Sequence, residues 1–340
     1  MEIDGSNSED EDTFSPTRQE TDKKLFGKTF GTDNKKKTNV LKRPRKPRAN
    51  IRRPNTVKMT RLHGTDIAYT DDIKIGQGAT SIVYKGYYGE IPCAVKRVDS
   101  EYVDVYENEL AIWQHMKDKT EDGNVNIVSL FKWHPWKEGG GGTTYYFAME
   151  LALCDLAKRV KELKQWRDAK DPQFVEQEKK LPRFLHGAVK GLMWIHNKRI
   201  LHRDIKPENV LIFETSNGEI AKLGDFGISR KLSETSTGTN SVGRGTSDWM
   251  APEALQAMNN EETFFSTRNI DIFSLGMTSH YAISLGSHPF KFKSRFGIFI
   301  MTNIMQKSVQ PTNLNYPHLD ADHLFQWMMQ KEEKQATKFS

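Results

Sequence analysis

The sequence predicts an α+β fold, in which a small, mostly antiparallel β-sheet with one helix precedes a larger α-helical part. Five short runs between residues 67 and 151 alternate in polarity or are rich in β-branched and aromatic residues, which is typical of strands. After residue 151 the apolar residues recur instead at helical spacing. A β-rich lobe followed by an α-rich lobe leaves a cleft between them, where a ligand would bind.

The predicted strands make up most of the first lobe. They are Ile67–Ile75, Ser81–Tyr88, Ile91–Val98, Ile127–His134 and Thr144–Leu151. Between the third and fourth runs, the apolar positions of Tyr102–Met116 suit a helix, the only one predicted in this lobe.

The second lobe contains the clearest helical pattern of the chain. Apolar residues of Leu181–Asn197 line one face of an amphipathic helix. A hairpin follows, with strands Val210–Phe213 and Ile220–Leu223 joined across the turn-forming pair Asn217-Gly218. Two further helices are predicted, Asn269–Leu285 and Asp320–Lys331.

The net charge of +6 belongs to an N-terminal arm, residues 1–60. Residues 1–22 contain eight acidic residues and one basic residue, whereas residues 23–61 contain fifteen basic residues and one acidic residue. The rest of the chain is nearly neutral, so a basic fold surface for nucleic acid is not implied. Because the arm has few apolar residues and blocks of like charge, it is predicted to be disordered.

Residues 42–48 of this arm read Lys-Arg-Pro-Arg-Lys-Pro-Arg, a basic cluster in which prolines prevent a helix. Such a cluster suits an import receptor or another anionic partner. A solvated tail without a specific role explains it as well.

The composition places the chain in a reducing compartment. Its two cysteines, Cys93 and Cys154, form no CxxC pair, so a disulfide framework is excluded. The first 24 residues are acidic and polar, unlike a signal peptide, and no apolar run reaches the ~18 residues of a membrane span. We therefore expect no membrane span and a cytoplasmic and/or nuclear location.

A glycine-rich segment lies between the first two predicted strands. Gly76 and Gly78 would let the backbone close over phosphates and present N–H groups to them. A lone Gly-x-Gly also occurs in many hairpins, and Ser81 stands where a third glycine is usual. No helix follows, which argues against a dinucleotide-binding fold.

Lys96 lies within an apolar strand, so its ammonium group either reaches outward to solvent or is held against an anion in the cleft. Glu109, on the helix that follows, is an acid that could pair with it. Each residue taken singly is also compatible with a surface position.

The segment from Ile200 to Ile212 carries the strongest signal. It places Asp204, Lys206 and Asn209 between two apolar strands, and Asp225 follows at the end of the hairpin. With Lys96 these residues form a phosphoryl-transfer set: a base for a hydroxyl proton, two magnesium ligands and a cation for the nucleotide phosphates.

The chain therefore resembles the protein kinase family. The Gly-rich loop, Ala-Val-Lys, His-Arg-Asp-x-Lys-Pro-x-Asn, Asp-Phe-Gly and Ala-Pro-Glu motifs occur in the family's order over residues 66–331. The resemblance implies a two-lobed kinase domain at 66–340, with an N-lobe at 66–151 and a C-lobe at 152–340. It also implies ATP and Mg²⁺ as cofactors and protein hydroxyls as substrates.

The family's catalytic roles carry over to single positions. Asp204 would be the base, Lys206 would steady the γ-phosphate, and Asn209 and Asp225 would hold Mg²⁺. Asp271 resembles the buried acid that anchors the catalytic loop. The lysine two residues after the catalytic Asp is the serine/threonine pattern.

The resemblance also implies an ATP-binding set. Met149 corresponds to the gatekeeper beside adenine, and Glu150 and Ala152 correspond to the hinge. The full set is Gly76, Gly78, Val83, Ala94, Lys96, Glu109, Met149, Glu150, Ala152 and Leu211.

Within the family, several segments are similar to the inositol-requiring enzyme (Ire) kinases of the unfolded-protein response. The most distinctive is residues 283–290, Ile-Ser-Leu-Gly-Ser-His-Pro-Phe. Those relatives span a membrane and carry a ribonuclease after the kinase. This chain is expected to lack both, and the resemblance implies stress signalling and a homodimer.

The C-terminal end of the C-lobe is expected to be truncated or divergent. Gln335 stands where kinases carry an arginine that pairs with the acid of Ala-Pro-Glu, here Glu253. We therefore expect Glu253 to be uncompensated, at a cost of about 1–3 kcal/mol.

Arg203, before the catalytic Asp, favours activation by a phosphorylated segment that supplies its counter-charge. Autophosphorylation in trans is predicted within Ser233–Ser241, although a flexible Ser/Thr/Gly loop needs no phosphate. The candidate regulatory residues are Arg203, Ser233, Thr235, Ser236, Thr237, Thr239, Ser241 and Thr246.

Three function classes follow from these observations. The first is an active serine/threonine kinase, which the complete catalytic set favours. The second is a catalytically weak or inactive kinase-fold scaffold. The third is a nucleic-acid-associated regulator that acts through the basic arm, which salt-dependent RNA binding would reveal.

Overall fold

A computed structural model describes residues 58–118, 126–137, 142–233, 238–242, 244–291, 299–305 and 328–329. Every described residue belongs to one compact unit of the chain. The predicted disorder and partners of residues 1–57 fall outside the described residues. Thr60, at the end of the predicted arm, belongs instead to a strand, because it pairs with Tyr69.

The first lobe contains six strands: β1 (Thr60–Arg61), β2 (Ile67–Gln77), β3 (Ser81–Tyr88), β4 (Ile91–Val98), β5 (Leu130–Lys137) and β6 (Thr143–Glu150). They form one sheet in which all neighbouring strands are antiparallel, in the order β1-β2-β3-β4-β6-β5. Helix α1, Val103–Asp118, lies between β4 and β5 in the chain. This confirms the predicted sheet with one long helix.

The fourth predicted strand, Ile127–His134, is displaced along the chain because its start belongs to the other lobe. Ile127 forms an isolated parallel bridge with Leu223, and Val128 N donates to Leu223 O at 2.9 Å. Pairing with the sheet begins only at Leu130. Both lobes therefore share this segment.

The second lobe is mainly helical and contains the predicted hairpin at its predicted bounds. Its helices are α2 (Leu156–Asp168), α3 (Gln173–Glu178), α4 (Leu181–Asn197), α5 (Pro252–Asn259), α6 (Arg268–Ile283) and α7 (Phe299–Met305). Its strands are β7 (Cys154–Asp155), β8 (Ile200–Leu201), β9 (Val210–Phe213), β10 (Ile220–Leu223), β11 (Arg230–Lys231), β12 (Gly238–Val242) and β13 (Thr263–Thr267).

Two helices form the centre of this lobe. The apolar face of α4 packs on β10 closely enough that a Cβ on Gly187 would lie 2.7 Å from Ala221 O. Helix α6 is buried along almost its whole length, and a Cβ on Gly276 would lie 2.8 Å from Met328 Cβ. Of the helix predicted at Asp320–Lys331, only residues 328–329 are described.

The acceptor-rich segment predicted as a loop includes a strand. β12 pairs antiparallel with β13, from Gly238 opposite Thr267 to Val242 opposite Thr263. A Cβ on Gly238 would lie 2.5 Å from Ser266 O and 2.7 Å from the Phe265 ring. Glycine is therefore needed for the two strands to approach this closely.

The distinctive segment at residues 283–290 secures the chain just before α5. His288 donates from Nε2 to Asp248 O at 2.8 Å and accepts from Phe290 N at Nδ1. Its ring packs edge-on against Trp249, which packs in the same way on Tyr281. Burial lowers the pKa of His288 to about 4, so the ring is neutral at physiological pH.

The expectation of an uncompensated Glu253 is wrong, because Glu253 does have an interaction partner. Gln335, on which that expectation depended, lies outside the described residues. Among the helices in the described ranges, none combines the length and the apolar character that crossing a bilayer requires.

Candidate active site

The ammonium group of Lys96 connects three elements. Lys96 lies on β4, and its Nζ donates to Glu109 on α1, at 3.1 Å to Oε1 and 2.8 Å to Oε2. The same Nζ donates to Asp225 Oδ1 at 2.9 Å, just after β10. Lys96 and Glu109 are almost fully buried, whereas the side chain of Asp225 is 46% exposed. The lysine is therefore held against anions in the cleft, which excludes the outward-reaching alternative.

Lys96 and Asp225 each stabilise the charged form of the other. Burial by itself lowers the pKa of Lys96, but the carboxylates of Asp225 and Glu109 outweigh it and the net shift is upward. Lys96 in turn lowers the pKa of Asp225 to about 2. At neutral pH the site thus holds an ammonium and an ionised carboxylate facing the cleft.

Asp204 is held by hydrogen bonds to both of its carboxylate oxygens. Oδ1 accepts from the Thr246 amide at 3.0 Å and from the Thr246 hydroxyl at 2.9 Å. Oδ2 accepts from Asn209 Nδ2 at 2.9 Å and lies 2.8 Å from Lys206 Nζ. Lys206 also donates to the Thr246 hydroxyl at 2.6 Å, which closes the network.

The loop that carries Asp204 is anchored by the buried carboxylate of Asp271 on α6. Its Oδ2 accepts from His202 N and from His196 Nε2, each at 2.8 Å, and its Oδ1 accepts from Arg203 N at 2.7 Å. Arg203 has a φ of 71°, a left-handed conformation that costs a non-glycine residue about 1–3 kcal/mol. The Asp271 hydrogen bonds hold this backbone in place.

His202 connects the same loop to the segment of Asp225. It donates from Nε2 to Gly224 O at 3.1 Å and accepts from Asp204 N at Nδ1, which defines its tautomer. Next to it, the buried Phe226 ring lies 5.1 Å from His202 and 5.3 Å from Trp113 of α1. The helix that bears Glu109 therefore packs directly on this segment.

Asn209 and Asp225 fit a hard divalent cation. The amide nitrogen of Asn209 donates to Asp204 O and Asp204 Oδ2, so the carbonyl oxygen Oδ1 is left to act as a ligand. Asp225 accepts from Lys96 Nζ at Oδ1, so its other oxygen, Oδ2, would be the ligand for the cation. Within the described ranges no group of three His, Cys, Asp or Glu could hold a metal alone, so phosphates would have to complete the shell, as is usual for Mg²⁺.

The glycine-rich loop has space for a phosphate. A Cβ on Gly76 would meet Val83 only at 3.6 Å, and one on Gly78 would meet Ser81 at 3.7 Å, which are ordinary contacts. Neither glycine has a positive φ. Because nothing in the protein itself requires glycine at these two positions, close approach of a ligand explains them best.

The predicted adenine residues lie around the same cleft. In the sheet, Val83 lies opposite Lys96, and Ala94 lies opposite Met149. The side chain of Glu150 is engaged by Ser129 N and by Lys222 Nζ, and its backbone N–H donates to Ser129 O at 3.1 Å, so neither group is left to act as a hinge. The remaining members are Ala152, just after β6, and the half-buried Leu211 of β9.

The candidate regulatory residues lie at different places. Ser233 is exposed, and its carbonyl accepts from the Arg199 guanidinium. Thr239 and Ser241 lie in β12, whereas Thr235, Ser236 and Thr237 lie outside the described residues. Thr246 is engaged with Asp204 and Lys206, which places it among the catalytic groups.

Sequence reasoning missed Asn108. Its amide donates to Gly227 O at 3.1 Å and to Ser229 O at 2.8 Å, which binds α1 to the segment after Asp225. The neighbouring Glu109 was recognised because an acid was needed beside Lys96. An exposed-looking Asn on a helix gives no comparable signal.

The two-lobed fold defines the class of the protein, and comparison with known proteins agrees. A family model described as "Protein kinase domain" matches residues 69–338, so the chain belongs to the protein kinase family. This confirms the family resemblance drawn from the motifs.

Three relatives show the narrower similarity. The chain is 30% identical over 256 residues to the serine/threonine-protein kinase/endoribonuclease ireA of Aspergillus fumigatus, covering 66% of the chain and 21% of the relative. It is 30% identical over 229 residues to IRE2 of Homo sapiens, of the same description, covering 66% and 22%. It is 28% identical over 243 residues to the sensor for unfolded proteins in the ER ire1 of Schizosaccharomyces pombe, covering 65% and 21%. The chain thus spans about a fifth of the length of these relatives.

Proposed function

We propose that the chain is an active serine/threonine kinase that transfers the γ-phosphate of ATP to protein hydroxyls. The observation that carries this proposal is the intact Lys96–Glu109–Asp225 group, with distances of 2.8 Å and 2.9 Å. It requires α1 and the Asp225 segment to be in place together, and this is the arrangement that kinase catalysis needs.

In the proposed reaction Asp204 accepts the proton of the attacking hydroxyl. The hydroxyl oxygen bonds to the γ-phosphorus as the bond to the ADP oxygen breaks. The Thr246 amide and hydroxyl orient the Asp204 carboxylate, and Lys206 carries positive charge toward the transferred group. Mg²⁺, held by Asn209 and Asp225, would neutralise the phosphate oxygens.

The alternative of an inactive scaffold is disfavoured because the complete catalytic set is present and in contact. This set is Lys96, Asp204, Asn209 and Asp225. The relatives' names support a finer proposal, a role in signalling from unfolded proteins, since one is named as a sensor for them. Homodimer formation, which the Ire resemblance also implies, stays a prediction.

The decisive experiment measures phosphate transfer from ATP·Mg²⁺ to a serine-containing protein by wild type and by Asp204→Asn. We expect the variant to lose about 10²-fold or more in kcat, since a positioned base contributes about that much. Asp168→Asn, at an exposed position on α2, is the matched control and should retain wild-type activity. Equal background transfer by all three proteins would refute the proposal.

We also propose that phosphorylation of the segment around Ser233–Ser241 raises activity. Burial, together with the nearby charges of Arg230 and Arg244, lowers the pKa of Arg203 to about 10. Three guanidinium groups within interaction range favour a dianionic phosphate as their counter-charge.

This regulation is tested by mass spectrometry after incubation with ATP·Mg²⁺, together with kinetics before and after phosphatase treatment. We expect phosphate on this segment and a fall in kcat when it is removed. Full activity of enzyme that carries no phosphate there would contradict this part of the proposal.

A further inference from the structure

A groove of about 520 Å³ lies beside the catalytic loop and is not used by the chemistry described above. One wall is the exposed face of α2 with Lys158, Lys161 and Lys164, and the opposite wall is Tyr281 and Gly286 at the end of α6. Glu208, which directly precedes Asn209, also lines the groove. The groove therefore borders the loop that carries Asp204.

The wall of α2 is strongly positive. Lys158, Lys161 and Lys164 recur every third residue, so they follow one side of the helix, and all three are exposed. Among the described residues none of them forms an ion pair, in contrast to the neighbouring Arg159, which is buried against Glu219 at 2.6 Å. These three charges are thus available to a ligand.

Two carboxylates, Asp155 and Glu208, also line the groove. Asp155 caps α2 by accepting from Lys158 N at 2.7 Å. Because three lysines line the groove, the lysines outnumber these two acids and the groove keeps a net positive charge. The apolar residues Val160 and Leu285 line the groove between the charges, where lysine stems can pack.

We propose that this groove binds substrate polypeptides with acidic residues, Asp or Glu, near the acceptor hydroxyl. The six-residue span from Lys158 to Lys164 rises about 9 Å along the helix, which matches about three residues of extended chain. Complementary charge along an open groove of this length selects among substrates more than it adds affinity. The inference rests on the proposed kinase function, because it concerns which proteins that site phosphorylates.

The test uses three peptides with one serine each, flanked on both sides by Glu, by Gln or by Lys. We expect wild type to prefer the Glu peptide over the Gln peptide by about tenfold in kcat/KM at low salt, since each exposed ion pair contributes a factor of about two to five. The preference should shrink at high salt.

The groove variant is Lys158→Glu, Lys161→Glu and Lys164→Glu together. The matched control is Lys85→Glu, Lys132→Glu and Lys190→Glu, which changes net charge equally at exposed lysines outside the groove. We expect the groove variant to reverse the preference toward the Lys peptide and the control to keep that of wild type. Equal use of the three peptides by wild type, or the same loss in the control, would overturn the inference.

Binding of a labelled Glu peptide, followed by fluorescence anisotropy, separates this inference from the proposed function. This readout requires no phosphate transfer. Binding that is lost only in the groove variant, with no transfer to any peptide, supports the groove and refutes the kinase proposal. Transfer to all peptides, with equal binding by both variants, supports the kinase proposal and refutes the groove.

Discussion

Replacing Asp271 by Ala should destabilise the protein more than any surface change, because three donors converge on this carboxylate. Two of them, His202 N and Arg203 N, are backbone groups held at 2.8 Å and 2.7 Å, and the carboxylate is 1% exposed. Each donor left without a partner costs about 1–3 kcal/mol, so we expect a loss of about 4 kcal/mol in the free energy of unfolding. The left-handed backbone of Arg203 would also lose its main restraint.

Urea unfolding of wild type, Asp271→Ala and the exposed control Asp168→Ala measures this loss. The comparison holds only if the unfolding free energy of all three proteins falls with urea concentration at the same slope. The control should stay within about 0.5 kcal/mol of wild type. If Asp271→Ala lost less than about 1 kcal/mol, Asp271 would not anchor the loop and this reasoning would be wrong.

The same carboxylate predicts the pH dependence. Burial raises the pKa of Asp271, but hydrogen bonds from His196 and the Arg203 amide outweigh it, so the folded-state pKa is lowered. Its contribution to stability is therefore complete above the unfolded value of about 4 and is lost as pH falls toward the folded pKa. The gap in unfolding free energy between wild type and Asp271→Asn should narrow below about pH 4, and a gap that widens there would contradict this sign.

Three further predictions concern α1 and two glycines. Asn108→Asp turns two donors into a carboxylate facing Gly227 O and Ser229 O, so kcat should fall about tenfold with little change in peptide KM, as steady-state kinetics would show. Asn217→Asp, in an exposed turn, is its control, and an unchanged kcat for Asn108→Asp would count against a positioning role. Gly187→Ala should cost about 1–3 kcal/mol in urea unfolding, because its Cβ would overlap Ala221 O. Gly78→Ala should leave stability unchanged yet raise the KM for ATP severalfold, and the reverse pattern would contradict a phosphate-binding loop.

The regular elements followed from local patterns. Local sequence patterns predicted β2, β3, β4, α4 and the β9–β10 hairpin to within two residues, because the apolar, β-branched and turn-forming residues that specify each element lie within its own stretch of sequence. Ile127 was misassigned because it is apolar like a strand residue, while its partner, Leu223, belongs to the other lobe. β12 was missed for a related reason: its polar sequence forms a strand only against Thr263–Thr267.

The residues of the candidate site also divide into those that local sequence predicted and those that only the structure brought together. Asp204 and Asn209 lie five residues apart in one loop, so their joint role could be read from spacing. Lys96 and Asp225 are 129 residues apart; both were predicted as members of the phosphoryl-transfer set, but their direct contact was not predicted. Asn108 carried no distinguishing pattern, and Thr246 was predicted only as a regulatory residue. The partners of both became visible only in three dimensions.

The proposed kinase therefore rests on two kinds of information. The sequence by itself determined which elements form and which reactive side chains are available, because periodicity and motif order are local properties. Only the tertiary structure decided which of those side chains meet: Lys96 with Glu109 and Asp225, Thr246 with Asp204, and three lysines along one open groove. Such meetings depend on long-range packing, whose outcome no single stretch of sequence encodes.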